Sequence, residues 1–205
     1  MPVLNGNILS STADARAAIN SPTLSVTAAA NGGFNARIST VPTNDGSFDE
    51  TVLANGPWTV NVPKATVGAQ FPALAACTGA GNTTFRAIGM PTDAEMFAAN
   101  RRHEDHHAAD HLAAFNASVV SWDTRMTAAS AASTTYQGAT EAEASAALHS
   151  AMGGNPHQVA NDFFNRCIAA GRAYHGTPAG GTITSGNPQS NADCTTSSAE
   201  YTNPS

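Results

Sequence analysis

An α+β fold is predicted for this chain, with a strand-rich first part and a helical second part belonging to one domain. Three observations carry that expectation. Residues 1–90 hold short runs of β-branched and aromatic residues parted by Gly, Pro and Asn clusters. Residues 91–176 show helix-start signatures ahead of apolar residues that recur every three to four positions. Residues 177–205 carry mostly Gly, Ser, Thr, Asn and Pro, which predicts an irregular or mobile tail.

In chain order, the alanine-rich stretch Ala13–Asn20 suggests an early helix. Strands are expected at Leu24–Thr27, Phe34–Val41, Trp58–Val62 and Thr83–Ile88. Turns are expected at Asn31-Gly32-Gly33, Asn44-Asp45-Gly46 and Asn55-Gly56-Pro57. Thr92-Asp93-Ala94-Glu95 has the form of a capping box, in which a threonine hydroxyl and a glutamate satisfy N–H groups at a helix start. Beyond it, Phe97, Leu112, Phe115, Val119, Trp122 and Met126 read as one buried stripe. Thr140-Glu141-Ala142-Glu143 opens a second helix that ends at Gly153-Gly154. Asn155-Pro156 opens a third, which buries Val159, Phe163, Cys167 and Tyr174 and stops at Gly176.

Bulk properties exclude several function classes. The 205 residues are 41% hydrophobic, much of that alanine, with 6% aromatic and only 12% charged, so a modest core with much loop is expected. The net charge is -6 and Lys64 is the single lysine beside eight arginines, so no basic surface is available for nucleic acid. No run approaches the roughly 18 apolar residues of a membrane span. The first residues, Met1-Pro2-Val3-Leu4-Asn5-Gly6, lack the basic and apolar segments of a secretory signal. A soluble protein follows, cytosolic or exported without a cleavable signal. Cys77, Cys167 and Cys194 include no C-x-x-C pair, so one disulfide with a spare thiol and three free thiols are both open. Oligomeric state is not legible.

Four of the seven histidines fall within nine residues: His103, His106, His107 and His111. Among them lies His-Glu-x-x-His, with His103 and His107 four apart and Glu104 directly after the first. On a helix, four residues advance about 6 Å and turn about 40° past a full revolution, so both imidazoles lean toward one point. Zinc takes imidazole nitrogen at about 2.0–2.1 Å, and a catalytic site has three protein ligands and one open position. Glu104 would stand beside that opening, able to take a proton from a water attacking a carbonyl. Two other motifs fail. His106-His107-Ala108-Ala109-Asp110-His111 has its second histidine one place early for the H-x-H-x-D-H of metallo-β-lactamases. Glu104-x-x-His107 lacks the second Glu-x-x-His that a di-iron bundle needs.

The order of capping box, helix, His-Glu-x-x-His and helical second half resembles the zincin superfamily of zinc metallopeptidases, over roughly residues 83–176. Neither the third histidine of metzincins nor the G-T-x-D signature of aspzincins is present. The resemblance implies a Zn2+ held by His103 and His107, Glu104 as general base, a peptide or protein substrate, and a third ligand from a downstream helix.

For that ligand, Asp110 and His111 are close in sequence but poorly placed. His111 lies eight residues from His103, about 12 Å along a straight helix, and no Gly or Pro bends the stretch between them. The downstream candidates are Glu141, Glu143, His149, His157 and His175. His175 is preferred, because the Gly-rich turn after it can fold it back onto the first helix; its other role would be a cation at a helix C-terminus. Tyr174 or Tyr136 would donate to the developing oxyanion. The expected function is therefore a zinc-dependent peptidase, and the sparse charge and single lysine fit an exported bacterial effector or toxin cargo. The rival is a non-catalytic secreted or particle-associated protein with a four-ligand structural zinc, or none.

Overall fold

The computed structural model describes residues 1–10, 16–51, 60–88, 93–177 and 188–200. In chain order it runs β1 (Leu4–Ser10), β2 (Arg16–Ala18), β3 (Thr23–Ala28), β4 (Phe34–Thr40), β5 (Asp45–Thr51), β6 (Val60–Pro63), α1 (Lys64–Gln70), a 3-10 turn (Pro72–Leu74) and β7 (Asn82–Ile88). It continues with α2 (Asp93–Phe115), a π turn (Asn116–Val120), α3 (Ser121–Ala131), β8 (Tyr136–Gly138), α4 (Glu141–Met152), α5 (Pro156–His175), β9 (Gln189–Ser190) and β10 (Thr196–Glu200). The class is α+β, with strands concentrated in the first half, as the sequence predicts.

The chain divides into two compact units that interleave strand-rich and helical segments. One takes Met1–Ile8, Thr12–Glu50 and Ala108–Ala170; the other takes Leu9–Ser11, Thr51–His107 and Gly171–Ser205. In the first, β3 turns onto β4 through Gly32 and Gly33, both at positive φ (+82° and +89°), where only glycine is unstrained. β8 then adds to β4, giving the antiparallel order β3-β4-β8. Ala36 and Ile38 of β4 are buried in one cluster with Trp122 and Met126 of α3, Leu148 and Met152 of α4, and Val159, Phe163 and Cys167 of α5. The Trp122 indole N–H donates to the Gly154 carbonyl at 3.1 Å, so the largest core residue leaves no polar atom unpaired.

The capping signals of this unit hold. Thr140 Oγ1 accepts from the Glu143 N–H while the Glu143 carboxylate accepts from the Thr140 N–H, at 3.2 and 3.0 Å. α4 stops at Gly153, φ +92°. Asn155 and Gln158 exchange the same reciprocal pair at the start of α5. Thr92, the expected cap of α2, lies outside the described residues.

Four expectations need correction. The turn expected at Asn44-Asp45-Gly46 gives way to β5 from Asp45 onward, where Asp45 and Gly46 are ladder positions. Arg16–Ala18, inside the expected early helix, is a strand pairing antiparallel with β5, Ala17 opposite Gly46; Ala13–Ala15 lie outside the described residues. Alanine is compatible with either state, and the ladder offered by β5 decides. In the α2 stripe, Leu112 is 50% exposed whereas His111 is 2% exposed. Phe115 and Val119 fix the helix phase, and the position one turn before Phe115 is occupied by His111. Lastly, part of the expected irregular tail is structured. β10 pairs in parallel with β7, from Thr196 opposite Thr84 to Glu200 opposite Ile88, and antiparallel with β9.

That pairing builds the sheet of the second unit, in the order β6-β7-β10-β9. Its core is small: Val67, Leu74, Cys77 and Cys194, with Val62, Phe71 and Phe85 packed against them. Two devices replace apolar burial. Cys77 and Cys194 form a disulfide across 117 residues. Hydroxyls link strands, the buried pair Thr83 and Ser197 at 3.1 Å and the half-buried Ser190 with Ser197 at 3.1 Å. Cys167 is a buried thiol outside the bridge. Among the described residues, no helix is long and apolar enough to cross a membrane.

Candidate metal centre

The centre belongs wholly to the second unit. α2 supplies His103, Glu104, His106 and His107, and the last turn of α5 supplies Tyr174 and His175. The helical spacing of four stacks His103 and His107 on one face, with Nε2 atoms 3.1 Å apart. His175 completes a triangle, its Nε2 3.0 Å from that of His107 and 3.2 Å from that of His103. The His103 and His175 rings are nearly parallel (7°), and His107 stands almost perpendicular to both.

Hydrogen bonding alone cannot satisfy this triangle. Each Nε2 bears either a hydrogen or a lone pair, so at least two of the three are alike. One edge would then oppose two hydrogens or two lone pairs at near contact distance. A cation at the common focus removes the conflict by accepting all three lone pairs. Three nitrogens held tetrahedrally at 2.0–2.1 Å from zinc lie about 3.3–3.4 Å from each other, close to the spacings found. His103, His107 and His175 are thus near enough together to hold a metal ion.

Burial grades across the three. His107 is buried, His103 half-buried and His175 exposed, so the group is reachable from the His175 side. Gly171, one turn before His175, lies against the His107 ring; a Cβ there would sit 3.8 Å from its Cε1. The His103 pKa is lowered, first by burial and then by repulsion from His175 and His106, which favours the neutral form that ligates metal. Glu104 is only 8% exposed, and burial raises its pKa. It is not one of the three grouped ligands.

The other candidates fall elsewhere. His111 packs edge-on to Phe48 in the first unit, with ring centroids 5.6 Å apart. His149 is on α4, and His157 contacts Asn161 within α5. Glu143 serves the α4 cap, and Glu141 occupies the first turn of the same helix. Tyr136 packs against the first unit's core. Tyr174 is at the centre, its ring stacked on His106 with centroids 3.8 Å apart.

No protein family, curated protein or solved structure matches this chain. The centre is accordingly defined by its own geometry.

Tyr174 is buried as its place on the third helix predicts, but its stacking on His106 and the approach of Gly171 to His107 are tertiary. The local signal for Gly171 is a glycine four residues before His175 on the same helical face.

Proposed function

We propose that the chain is a zinc-dependent peptidase, with His103, His107 and His175 as metal ligands and Glu104 as general base. The observation carrying this reading is the three converging Nε2 atoms with a buried carboxylate directly after the first ligand. An all-imidazole donor set suits zinc better than magnesium or calcium, which take oxygen. When bound, the ion would supply a Lewis acid that polarises a scissile carbonyl and lowers the pKa of water.

The chain's own residues do the rest. Three neutral imidazoles leave the ion's charge uncompensated. Glu104, held in a poorly solvated position where its carboxylate is unusually basic, takes the proton of the attacking water and returns it to the departing amine. Exposure of His175 leaves an approach for an extended substrate.

A structural zinc would need a fourth protein ligand. Among the described residues the group has three members, the number of protein ligands that a catalytic zinc takes. The Cys77–Cys194 bridge favours an oxidising compartment, and with it the exported alternative.

Elemental analysis of purified protein should find about one zinc per chain, and digestion of a diverse peptide pool should yield metal-dependent cleavage. Zinc without cleavage of any peptide would refute the peptidase reading.

A further inference from the structure

Metal-ligating histidines are ordinarily oriented by a hydrogen bond from the ring nitrogen that faces away from the ion. His103 lacks that support: its Nδ1 is buried and has no hydrogen-bond partner among the described residues. Among the described residues, side chains packed on its faces and edges are the groups that can fix the plane and direction of this ring.

Tyr174 occupies that place. The residue is 8% exposed, although it lies one residue from a helix end. Its centroid is 5.1 Å from that of His103 and 5.3 Å from that of His107, the latter at 90°. On His106 it stacks nearly parallel, at 16°. One ring thus touches three histidines of a single α2 segment. The next residue on α5, His175, stacks on His103 with centroids 5.2 Å apart. Tyr174 and His175 are consecutive on α5 and their ring centroids lie 6.1 Å apart, so both rings pack on His103 from adjacent directions.

The backbone of this turn is also pinned. The Tyr174 carbonyl accepts from the Thr177 N–H at 2.9 Å and from the Thr177 hydroxyl at 2.7 Å. A terminal helical turn would otherwise fray, carrying its exposed ligand with it.

We propose that Tyr174 is a positioning residue of the metal centre: its ring, not its hydroxyl, orients His103 and keeps His175 in register with the two α2 ligands. This rests on the three histidines holding a metal, and is independent of whether peptides are cleaved.

The test compares Tyr174→Phe, which keeps the ring, with Tyr174→Leu, which keeps apolar volume without it. Zinc affinity is measured by competition with a chromophoric chelator, and coordination by the visible absorption of the Co2+-loaded protein. Tyr174→Phe should bind within about twofold of wild type and keep its spectrum, whereas Tyr174→Leu should lose about 10–100-fold in affinity and change the spectrum. Full affinity in Tyr174→Leu would overturn the proposal, as would equal losses in both variants, because the hydroxyl would then be the operative group. Wild-type protein that takes up neither metal would overturn the metal centre itself. Zinc uptake without hydrolysis would remove only the peptidase reading and leave the expected difference between variants standing.

Discussion

His107 and His175 are 68 residues apart in sequence, yet their Nε2 atoms lie 3.0 Å from each other. One sits mid-helix and buried, the other on the last exposed turn of a second helix. Two α2 histidines alone define a line and bind a divalent ion weakly. The third, arriving from α5, turns that line into a three-sided donor set.

His175→Ala should therefore lower zinc affinity by orders of magnitude, since two imidazoles remain. His157→Ala, on the exposed face of the same helix, should leave affinity unchanged. Equilibrium dialysis against buffered zinc measures both. Equal affinities for His175→Ala and wild type would remove His175 from the ligand set.

How far the sequence goes toward this arrangement depends on the residue. His103, Glu104 and His107 are legible because a helix converts a spacing of four into proximity, a purely local rule. His175 has only a weaker signal, the Gly-rich turn that follows it, and its approach to α2 is a tertiary fact. The caps at Thr140 and Asn155 were legible for the same local reason. β10 was not: Thr196-Ser197-Ser198 has no apolar alternation to betray a strand. It is held by backbone pairing with β7, buried hydroxyls and a disulfide whose partner lies 117 residues away. Leu112 and His111 exchange their expected burial because hydrophobicity alone does not set helix phase.

The disulfide should contribute substantially to stability. Closing a 117-residue loop removes about 5 kcal/mol of unfolded-state conformational freedom on the chain-entropy account. Cys194→Ser should then lower Tm markedly and accelerate amide exchange over Thr196–Glu200. Thermal unfolding with and without reductant, followed by mass-resolved exchange, reads both. Unchanged Tm after complete reduction would mean that the sheet stands without the bridge.

Acidification should destabilise the fold through groups outside the metal centre. His111 and His149 both have pKa values lowered by burial. The folded chain therefore resists protonating them, whereas the unfolded chain takes up protons near pH 6.5. Their neutral forms cost nothing above that pH, and stability falls as pH drops from about 6.5 toward the folded values. In His149→Gln this loss should be shallower. Denaturant midpoints between pH 5 and 7.5 measure the slopes, and identical slopes in variant and wild type would exclude His149 as a contributor.

Glu104 separates catalysis from metal binding and from folding. Its carboxylate is buried, and that burial raises its pKa, so the ionised form is disfavoured in the folded state. Stability is thus lost as pH rises from the unfolded value, near 4.5, through the folded one. Glu104→Gln preserves size, cannot ionise and cannot accept a proton. At neutral pH the metal-free variant should unfold at a higher temperature than metal-free wild type, and the variant should still take up zinc. Hydrolysis should fall about 10²–10⁴-fold, the usual loss on removing a general base. His107→Ala, by contrast, should lose metal and hydrolysis together. Stabilisation combined with inactivation is the signature of a group kept for chemistry at the fold's expense. If Glu104→Gln hydrolyses peptides at the wild-type rate, the carboxylate is not the base. If it also melts at a lower temperature, Glu104 supports the structure instead.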